Sequence, residues 1–488
     1  MSKLGRALLF FTGSSVFGTL TQIAKGKLAA IALGAAGVGV LNQLNAMWSL
    51  FNTGSGMGLY AGLVRHVAEH DRDGDRDAAR RQFASVAYFI GGMSTIAAAV
   101  GVVFSRQISD LIFADDGARA GLVALVLLSV PLSAIAQCYR CLLSGLRLVG
   151  PQIKARVTAD AVSVIAFAAL VFPLGVVGGV LGFMSVHIAF FGLGMFWTWR
   201  VAGRAMALPS ARDWRWCEVR RNISYGASGV LIVASNVAAV MTVSRWIIEH
   251  HGADSNGVYS TAWKVSSVYL AALYNVSSSY YLPALTVAEN DREMVVEMNR
   301  AIRVYLYILT PLVLGLIGGG ELMMTVLFSR EFAPAALLLL ALLPGDLFRV
   351  LSDAIGVAFL ARRRLVSYAL VCVCWAGVYV SVALPLLDRY GLMGAAIAYL
   401  VTQAGTTLVI ALLARGYFGF GIERSTGWAI LRTAGAVGCV AVAGAWLGTG
   451  WTLCAVSIAA LLLWLGLSLL DPGFGAMARQ LARRLKSS

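Results

Sequence analysis

The sequence predicts an all-α polytopic membrane protein with about fourteen transmembrane helices, and three observations support this fold class. The composition is 59% hydrophobic and 13% charged, with a mean hydropathy of +0.77, whereas soluble globular domains carry about 25% charged residues. Crossing the hydrocarbon core takes about 20 apolar residues. Runs of that kind begin near residues 7, 38, 83, 119, 154, 175, 222, 256, 302, 333, 365, 391, 427 and 450. The third observation is the distribution of basic residues.

Basic residues alternate between the two sides of these spans in a strongly biased way. With the N-terminus inside, thirty of the 39 Lys and Arg residues fall on cytoplasmic segments, five on outer segments and four inside spans. An asymmetry of this size predicts cytoplasmic N- and C-termini and an even number of spans. It also accounts for most of the net charge of +15, so we expect no nucleic-acid partner.

The chain contains an internal repeat that predicts two six-helix lobes. Pro131 and Pro344 are 213 residues apart, Pro173 and Pro385 are 212 apart, and the segments that start at Gly37 and Gly257 share a Gly-Val start and a Val-Ala-Glu end. The predicted lobes are residues 1–205 and 206–415, and residues 416–488 add spans 13 and 14 and a basic tail. Because six is even, a pseudo-twofold axis along the membrane normal is expected, with the substrate site between the lobes.

Polar residues form stripes along three predicted spans. On spans 1, 2 and 8 they recur at steps of three and four, which places them on one helix face. Such faces avoid lipid, and they serve either helix packing or an aqueous cavity; the recurrence at related positions of the repeat favours the cavity. The members that we expect to line it are Gln22, Asn42, Asn45, Asn52 and Asn275, with Trp48 and Trp263 as stacking surfaces for a sugar.

Cations lie on or near the same faces. A charge at the bilayer centre costs at least ~3 kcal/mol, so intramembrane cations indicate function, and a cavity lined with them suggests an anionic substrate group such as a phosphate. The expected cationic set is Lys25, Lys27, Arg65, Lys264 and Arg349. Snorkelling toward the interface is the alternative for Arg65, and it is the preferred interpretation of Arg140.

Span 10 carries a charged stripe within "LLPGDLFRVLSDAI". Asp346, Arg349 and Asp353 are spaced by three and four residues and share one helix face. Two interpretations stay open. The two carboxylates pair with Arg349 and hold the lobe together, or they take up a coupling proton or ion.

Catalytic and metal-binding signatures are not found in the sequence. The seven cysteines have no spacing typical of a metal site with nearby histidines and are expected to be reduced. Walker-type and nucleophile-elbow motifs are also missing. We therefore expect a protein that is not an enzyme and binds no cofactor or metal. If Asp346 and Asp353 take up an ion, the protein would be coupled to a proton or sodium gradient or to the membrane potential.

Three stretches resemble the Wzx-type flippases of lipid-linked oligosaccharides, above all lipid III and O-antigen flippases, in the multidrug/oligosaccharidyl-lipid/polysaccharide exporter superfamily. They are "LGAAGVGVLNQLNAMWSLFNTGSGMGLYAGLVRHVAE", "VSSVYLAALYNVSSSYYLPALT" and "VLFSREFAPAALLLLALLPGDLFRVLSDAIGVAFLARRRLVSYAL". The resemblance implies that Lys27 and Arg65 occupy basic positions of the family pattern. It also implies that Asp346 and Arg349 form its G-D-x-x-[KR] element, whereas Lys25 and Lys264 have no counterpart.

The same resemblance implies a function. Members move undecaprenyl-pyrophosphate-linked glycans, such as O-antigen, enterobacterial-common-antigen-like or exopolysaccharide repeat units, from the cytoplasmic to the periplasmic leaflet of the bacterial inner membrane by alternating access. A lipid II flippase is the alternative, since those proteins also have fourteen spans. An ion-coupled drug exporter is a third hypothesis. Expected partners are the polyprenyl-pyrophosphate oligosaccharide and membrane lipids, with a glycan polymerase and a chain-length regulator as candidate protein partners.

Overall fold

The computed structural model describes residues 3–115, 117–223, 227–276, 281–362 and 364–469. These residues form helices and short 3-10 turns, and no strand occurs among them. The chain divides into two compact units, Met1–Gly257 and Val258–Ser488. The lobe boundary after residue 205 rests on the sequence repeat and stays a prediction.

Helices follow one another with short connections along the described chain. The N-terminal half contains α1 (Lys3–Gly56), α2 (Leu59–Arg72), α3 (Arg76–Val103), α4 (Ser105–Phe113), α5 (Ala120–Leu128), α6 (Val130–Gly145), α7 (Val149–Ala202), α8 (Arg204–Ala207) and α9 (Trp216–Ile223). The rest contains α10 (Ala227–Val276), α11 (Leu282–Val287), α12 (Asp291–Gly318), α13 (Gly320–Leu327), α14 (Ala335–Ala361), α15 (Leu365–Tyr390), α16 (Leu392–Phe418), α17 (Arg424–Leu447) and α18 (Trp451–Leu469).

Eleven helices within the described ranges are long and apolar enough to cross a membrane. Three helical segments, α1, α7 and α10, are 50 to 54 residues long, and a straight rod of that length would span about 75–80 Å, far more than the ~30 Å core. Each is interrupted by a glycine with non-helical dihedral angles, Gly34, Gly175 or Gly252. Counting each of these segments as two spans gives fourteen, the predicted number, which stays a prediction.

The break at Gly175 is a tight reversal between two membrane helices. A Cβ at Gly178 would meet the carbonyl of Leu170, and a Cβ at Gly182 would meet the backbone of Phe167, so the helix packs back on itself. Gly391 has nearly the same dihedral angles, φ 57° and ψ −147° against φ 57° and ψ −133° at Gly175, and it separates α15 from α16.

The second reversal repeats the contacts of the first one. Gly394 lies three residues after Gly391, and its Cβ would meet the carbonyl of Leu386. Both the turn glycines and the packing glycines are therefore 216 residues apart. The sequence offset of 212 between Pro173 and Pro385 is four residues, about one helical turn, shorter than this structural offset.

Helix α14 is the most deeply buried membrane helix of the second unit, with 78% of its most apolar window inside the protein. Its leucine-rich first half packs among α12, α16 and α17. Within the charged stripe of α14, Asp346 is fully buried, whereas the side chains of Arg349 and Asp353 are partly exposed.

We expect Gly178→Ala to destabilise the protein, because the added methyl group would overlap the carbonyl of Leu170. Overpacking of this kind typically costs roughly 1–3 kcal/mol. The matched control is Gly192→Ala in the same helix, where a Cβ meets nothing within 4 Å. Thermal unfolding in detergent should show a lower midpoint for the first variant only, and equal midpoints would contradict the reversal geometry.

Candidate functional site

The first unit contains a polar cavity of about 330 Å³ between both halves of α1, α6 and α7. Its charged lining residues are three cations and one carboxylate, so the cavity carries an excess of positive charge. They are Lys25, Arg140, Arg156 and Asp160. The uncharged polar lining residues are Gln22, Asn45, Asn52, Ser133, Gln137 and His187, and the aromatic ones are Trp48, Phe183 and Phe190.

Lys25 lies in the wall of this cavity with only 2% of its surface exposed. Its Nζ donates a hydrogen bond to Ser163 Oγ at 3.1 Å and lies 5.4 Å from the centre of the Phe183 ring. Asp160 lies on the same helix as Ser163, and its Oδ2 is 3.9 Å from Arg156 Nε. Lys25 therefore has a hydroxyl and an aromatic face as direct partners, and the carboxylate of Asp160 acts on it as a nearby opposite charge.

Trp48 and His187 form one wall of the cavity. Their rings stack with centroids 4.6 Å apart and an angle of 26°. The indole Nε1 of Trp48 is buried and has no hydrogen-bond partner among the described residues. One helical turn after Trp48 on α1, Asn52 Oδ1 accepts a hydrogen bond of 3.0 Å from Ser133 Oγ on α6. The wall thus offers a flat aromatic surface beside amide and N–H groups, the combination that binds sugar rings and their hydroxyls.

Three predicted site residues of the first unit lie outside the lining of this cavity. Lys27 is exposed, and two residues beyond Lys25 it points about 200° away around the helix. Asn42 is half-buried. Arg65 Nε pairs with Glu69 Oε1 at 2.9 Å on the surface of α2, and this hydrogen bond lowers the pKa of Glu69 below its ordinary value.

The second unit holds Asp346 inside a cage of hydroxyl donors. Its carboxylate is fully buried and accepts from Ser266 Oγ at 2.6 Å, from Tyr399 Oη at 2.7 Å and from Tyr269 Oη. The donors come from α10 and α16, so the carboxylate on α14 ties three helices together. A buried carboxylate has to be compensated in this way, because an unpaired charge in a low-dielectric interior is very costly.

The other two residues of the stripe form a second, more open group. Arg349 Nε lies 3.8 Å from Asp353 Oδ2, and their side chains are 23% and 27% exposed. Asp353 also accepts from Tyr274 Oη at 2.6 Å and from Tyr368 Oη at 3.1 Å. At this distance the ion pair is loose, and Arg349 also has a hydrogen bond with the hydroxyl of Tyr399.

Trp263 packs among tyrosines beside the Asp346 cage. Its ring is 4.9 Å from that of Tyr399 in a T-shaped contact, and the hydroxyls of Tyr259 and Tyr379 are 2.8 Å apart next to it. Lys264 is half-buried on the same helix. The side chain of Asn275 lies outside the described part of the chain.

The sequence interpretation missed several residues of both groups. Arg140, for which snorkelling was preferred, lines the cavity, and Arg156 lies one helical turn before Asp160 on that wall. In the second unit the sequence did not predict the hydroxyl groups that surround the carboxylates, those of Ser266, Tyr269, Tyr274, Tyr368 and Tyr399. The spacing Ser266–Tyr269 places two hydroxyls on one helix face, which is the one local signal that could have indicated the cage.

Comparison with known proteins assigns the chain to a family. The family described as "Polysaccharide biosynthesis protein" matches residues 33–337. Among curated proteins, the chain is 22% identical over 410 residues to the lipid III flippase of Escherichia coli (strain K12), an alignment that covers 82% of this chain and 95% of the relative. The lipid III flippase of Shigella flexneri matches to the same extent.

Solved structures with the same fold are membrane transporters. A multidrug resistance MATE family transporter of the MOP superfamily in an inward-facing conformation matches with a TM-score of 0.70 at 15% identity, covering 82% of this chain and 94% of that one. The lipid II flippase MurJ in an inward closed conformation matches with a TM-score of 0.67 at 13% identity, covering 95% and 99%. The protein is a multi-pass membrane protein with the fold of these transporters, and its sequence belongs to the polysaccharide biosynthesis protein family.

Proposed function

We propose that the protein is a flippase for polyprenyl-pyrophosphate-linked oligosaccharides. It moves them from the cytoplasmic to the periplasmic leaflet of the bacterial inner membrane by alternating access, with both termini in the cytoplasm. The observation that carries this proposal is the cationic cavity of the first unit, in a chain that covers 95% of the E. coli lipid III flippase.

The lining of the cavity matches the two polar parts of such a substrate. Lys25, Arg140 and Arg156 offer positive charge to a pyrophosphate, which binds cations through charge-assisted hydrogen bonds. Trp48 offers a stacking surface and Asn45 an amide to the adjoining sugars. A cation inside a membrane protein is energetically costly, so it is retained where it serves a function. An anionic ligand best explains three cations in a cavity that has one carboxylate.

A cationic drug would meet electrostatic repulsion in the same cavity, which disfavours the drug-exporter alternative. A lipid II flippase is the closer competitor, because lipid II also carries a pyrophosphate, and the structural likeness to MurJ covers almost all of both chains. Charge alone does not separate the two substrates, so the glycan that follows the pyrophosphate has to be tested directly.

The Asp346 cage and the Arg349–Asp353 pair are our candidates for coupling transport to a proton or sodium gradient or to the membrane potential. They join α10, α14, α15 and α16. A change of charge at either carboxylate would therefore alter contacts among three helices. No cofactor is needed for this mechanism.

Substitution at Lys25 should stop transport. Lys25→Ala removes the buried cation, and we expect about a tenfold or greater loss of flipping, since a lost charge-assisted hydrogen bond is worth roughly 1.5–3 kcal/mol. Lipid-linked glycan would accumulate on the cytoplasmic leaflet, measured by leaflet-selective labelling. Lys27→Ala, two residues further along the helix, is the comparison. A larger defect at Lys27 than at Lys25 would assign the role to Lys27, as the family resemblance implies.

Neutralising Asp346 tests the coupling hypothesis. We expect Asp346→Asn to abolish the dependence of transport on pH or membrane potential while substrate still binds, because the variant cannot change charge. Asp353→Asn, on the same helix face, shows whether the effect is specific. Transport rates across a pH series are the measurement, and an unchanged pH profile for Asp346→Asn would give this residue a purely structural role.

Complementation separates the two glycan classes. We expect the gene to leave cells depleted of their lipid II flippase unrescued, because we propose that its substrate carries a different glycan. Deletion in its own host should lower the amount of surface polysaccharide without stopping peptidoglycan synthesis. Full rescue of the depleted cells would replace our proposal with the lipid II alternative.

A further inference from the structure

An apolar groove of about 620 Å³ runs along the seam between α15 and α16 in the second unit. Its lining extends from Ser367 to Val382 on α15 and from Val401 to Tyr417 on α16. At 1.5 Å per residue this is a length of about 23 Å, which is most of the depth of a hydrocarbon core.

The groove exists because small side chains occupy the seam between the two helices. Cys374, Thr402, Gly405 and Thr406 line it, and a Cβ added at Gly405 would meet nothing within 4 Å. Apolar residues that merely face lipid form a convex surface, whereas these small residues leave a concave channel between larger ones such as Leu370 and Val409.

The corresponding seam of the first unit differs at three positions. The 216-residue frame of the two reversals aligns Leu370 with Lys154, Thr406 with Phe190 and Leu413 with Trp197. Lys154 Nζ lies 5.3 Å from the centre of the Trp197 ring and bridges the two helix halves. Phe190 lines the polar cavity of the first unit, so the two seams have different surroundings.

One end of the groove carries positive charge. Tyr417 lines that end, and the guanidinium of Arg364 lies 4.2 Å above its ring. Arg364 and Arg415 are both exposed there. A lipid seated in the groove would thus place its head group beside cations that suit a phosphate.

We propose that this groove holds the prenyl chain of the lipid carrier when the carrier first binds, with the pyrophosphate at the Arg364 end before it enters the cationic cavity. The inference rests on the proposed flippase function and deepens it by assigning a site to the lipid tail. A polyprenyl lipid has a single chain per head group, which suits a single channel, whereas a phospholipid has two chains. The groove then guides the tail while the glycan crosses through the protein.

Protection of Cys374 from a thiol reagent tests the proposal on the unmodified protein. Cys374 is an exposed cysteine in the groove, and Cys439 and Cys217 are exposed cysteines outside it. Labelling of the detergent-purified full chain by a maleimide is followed at each cysteine by peptide mass spectrometry. With saturating undecaprenyl pyrophosphate we expect labelling of Cys374 to slow about tenfold and labelling of Cys439 and Cys217 to stay constant. Equal protection by phosphatidylglycerol, or none by either lipid, overturns the proposal.

A variant with a filled groove provides a second test. Gly405→Phe should remove the protection of Cys374, since a Cβ at Gly405 meets nothing within 4 Å and the attached ring would occupy the channel. Gly377→Phe is the matched control, because Gly377 also has nothing within 4 Å of a Cβ and lies outside the lining. Equal effects of the two variants contradict the proposal.

The experiments distinguish a failure of the proposed flippase function from a failure of the proposed lipid-tail groove. Protection at Cys374 reports binding of the prenyl lipid and does not require transport. Protection without glycan translocation would refute the flippase and keep the groove. Translocation without protection would refute the groove alone.

Discussion

A membrane interior offers no water to polar groups, and this constraint governs the whole structure. Backbone groups have to be satisfied within each segment, which is why the described chain consists of helices. The same constraint applies to side chains, and Asp346 shows its consequence most clearly. Its carboxylate is buried in the middle of α14 and is stabilised by hydroxyls from two other helices. The carboxylate therefore links α10, α14 and α16 through hydrogen bonds in addition to the apolar packing between them.

The two polar groups answer this constraint in different ways. Around Asp346 the protein itself supplies the hydrogen-bond partners, so the group is compact. In the first unit, Lys25, Arg140 and Arg156 surround open volume instead, and a bound anion would complete their charge balance. From this contrast we propose that the first unit recognises the head group of the substrate, while the second contains contacts between helices that depend on charge.

Much of the fold follows from the sequence because hydropathy and the distribution of basic residues are strong signals. The breaks in the longest helices fall where glycine permits positive φ, at Gly34, Gly175 and Gly252. The register of the repeat was harder to predict. Prolines suggested an offset of 212, but the backbone contacts of Gly178 and Gly394 fix it at 216. A one-turn shift leaves the same helix face exposed, so periodicity does not detect it.

The site was predictable only where one helix carries the signal. Gln22, Asn45 and Asn52 follow the helical period of α1, and the structure brings them together with Lys25 and Trp48. Arg140 was assigned to the interface because spacing does not say whether a cation near a helix end turns toward lipid or toward a cavity. The tyrosine cage depends on contacts between residues as far apart as Ser266 and Tyr399, which local patterns do not contain.

The central claim is that this chain translocates a pyrophosphate-linked glycan. The most direct measurement is the translocation of a defined undecaprenyl-pyrophosphate oligosaccharide across vesicles that contain only the purified protein, followed beside lipid II and a cationic drug. Our account predicts protein-dependent movement of the oligosaccharide lipid and much slower movement of the other two. Movement of the drug or of lipid II in preference to the oligosaccharide lipid would contradict it.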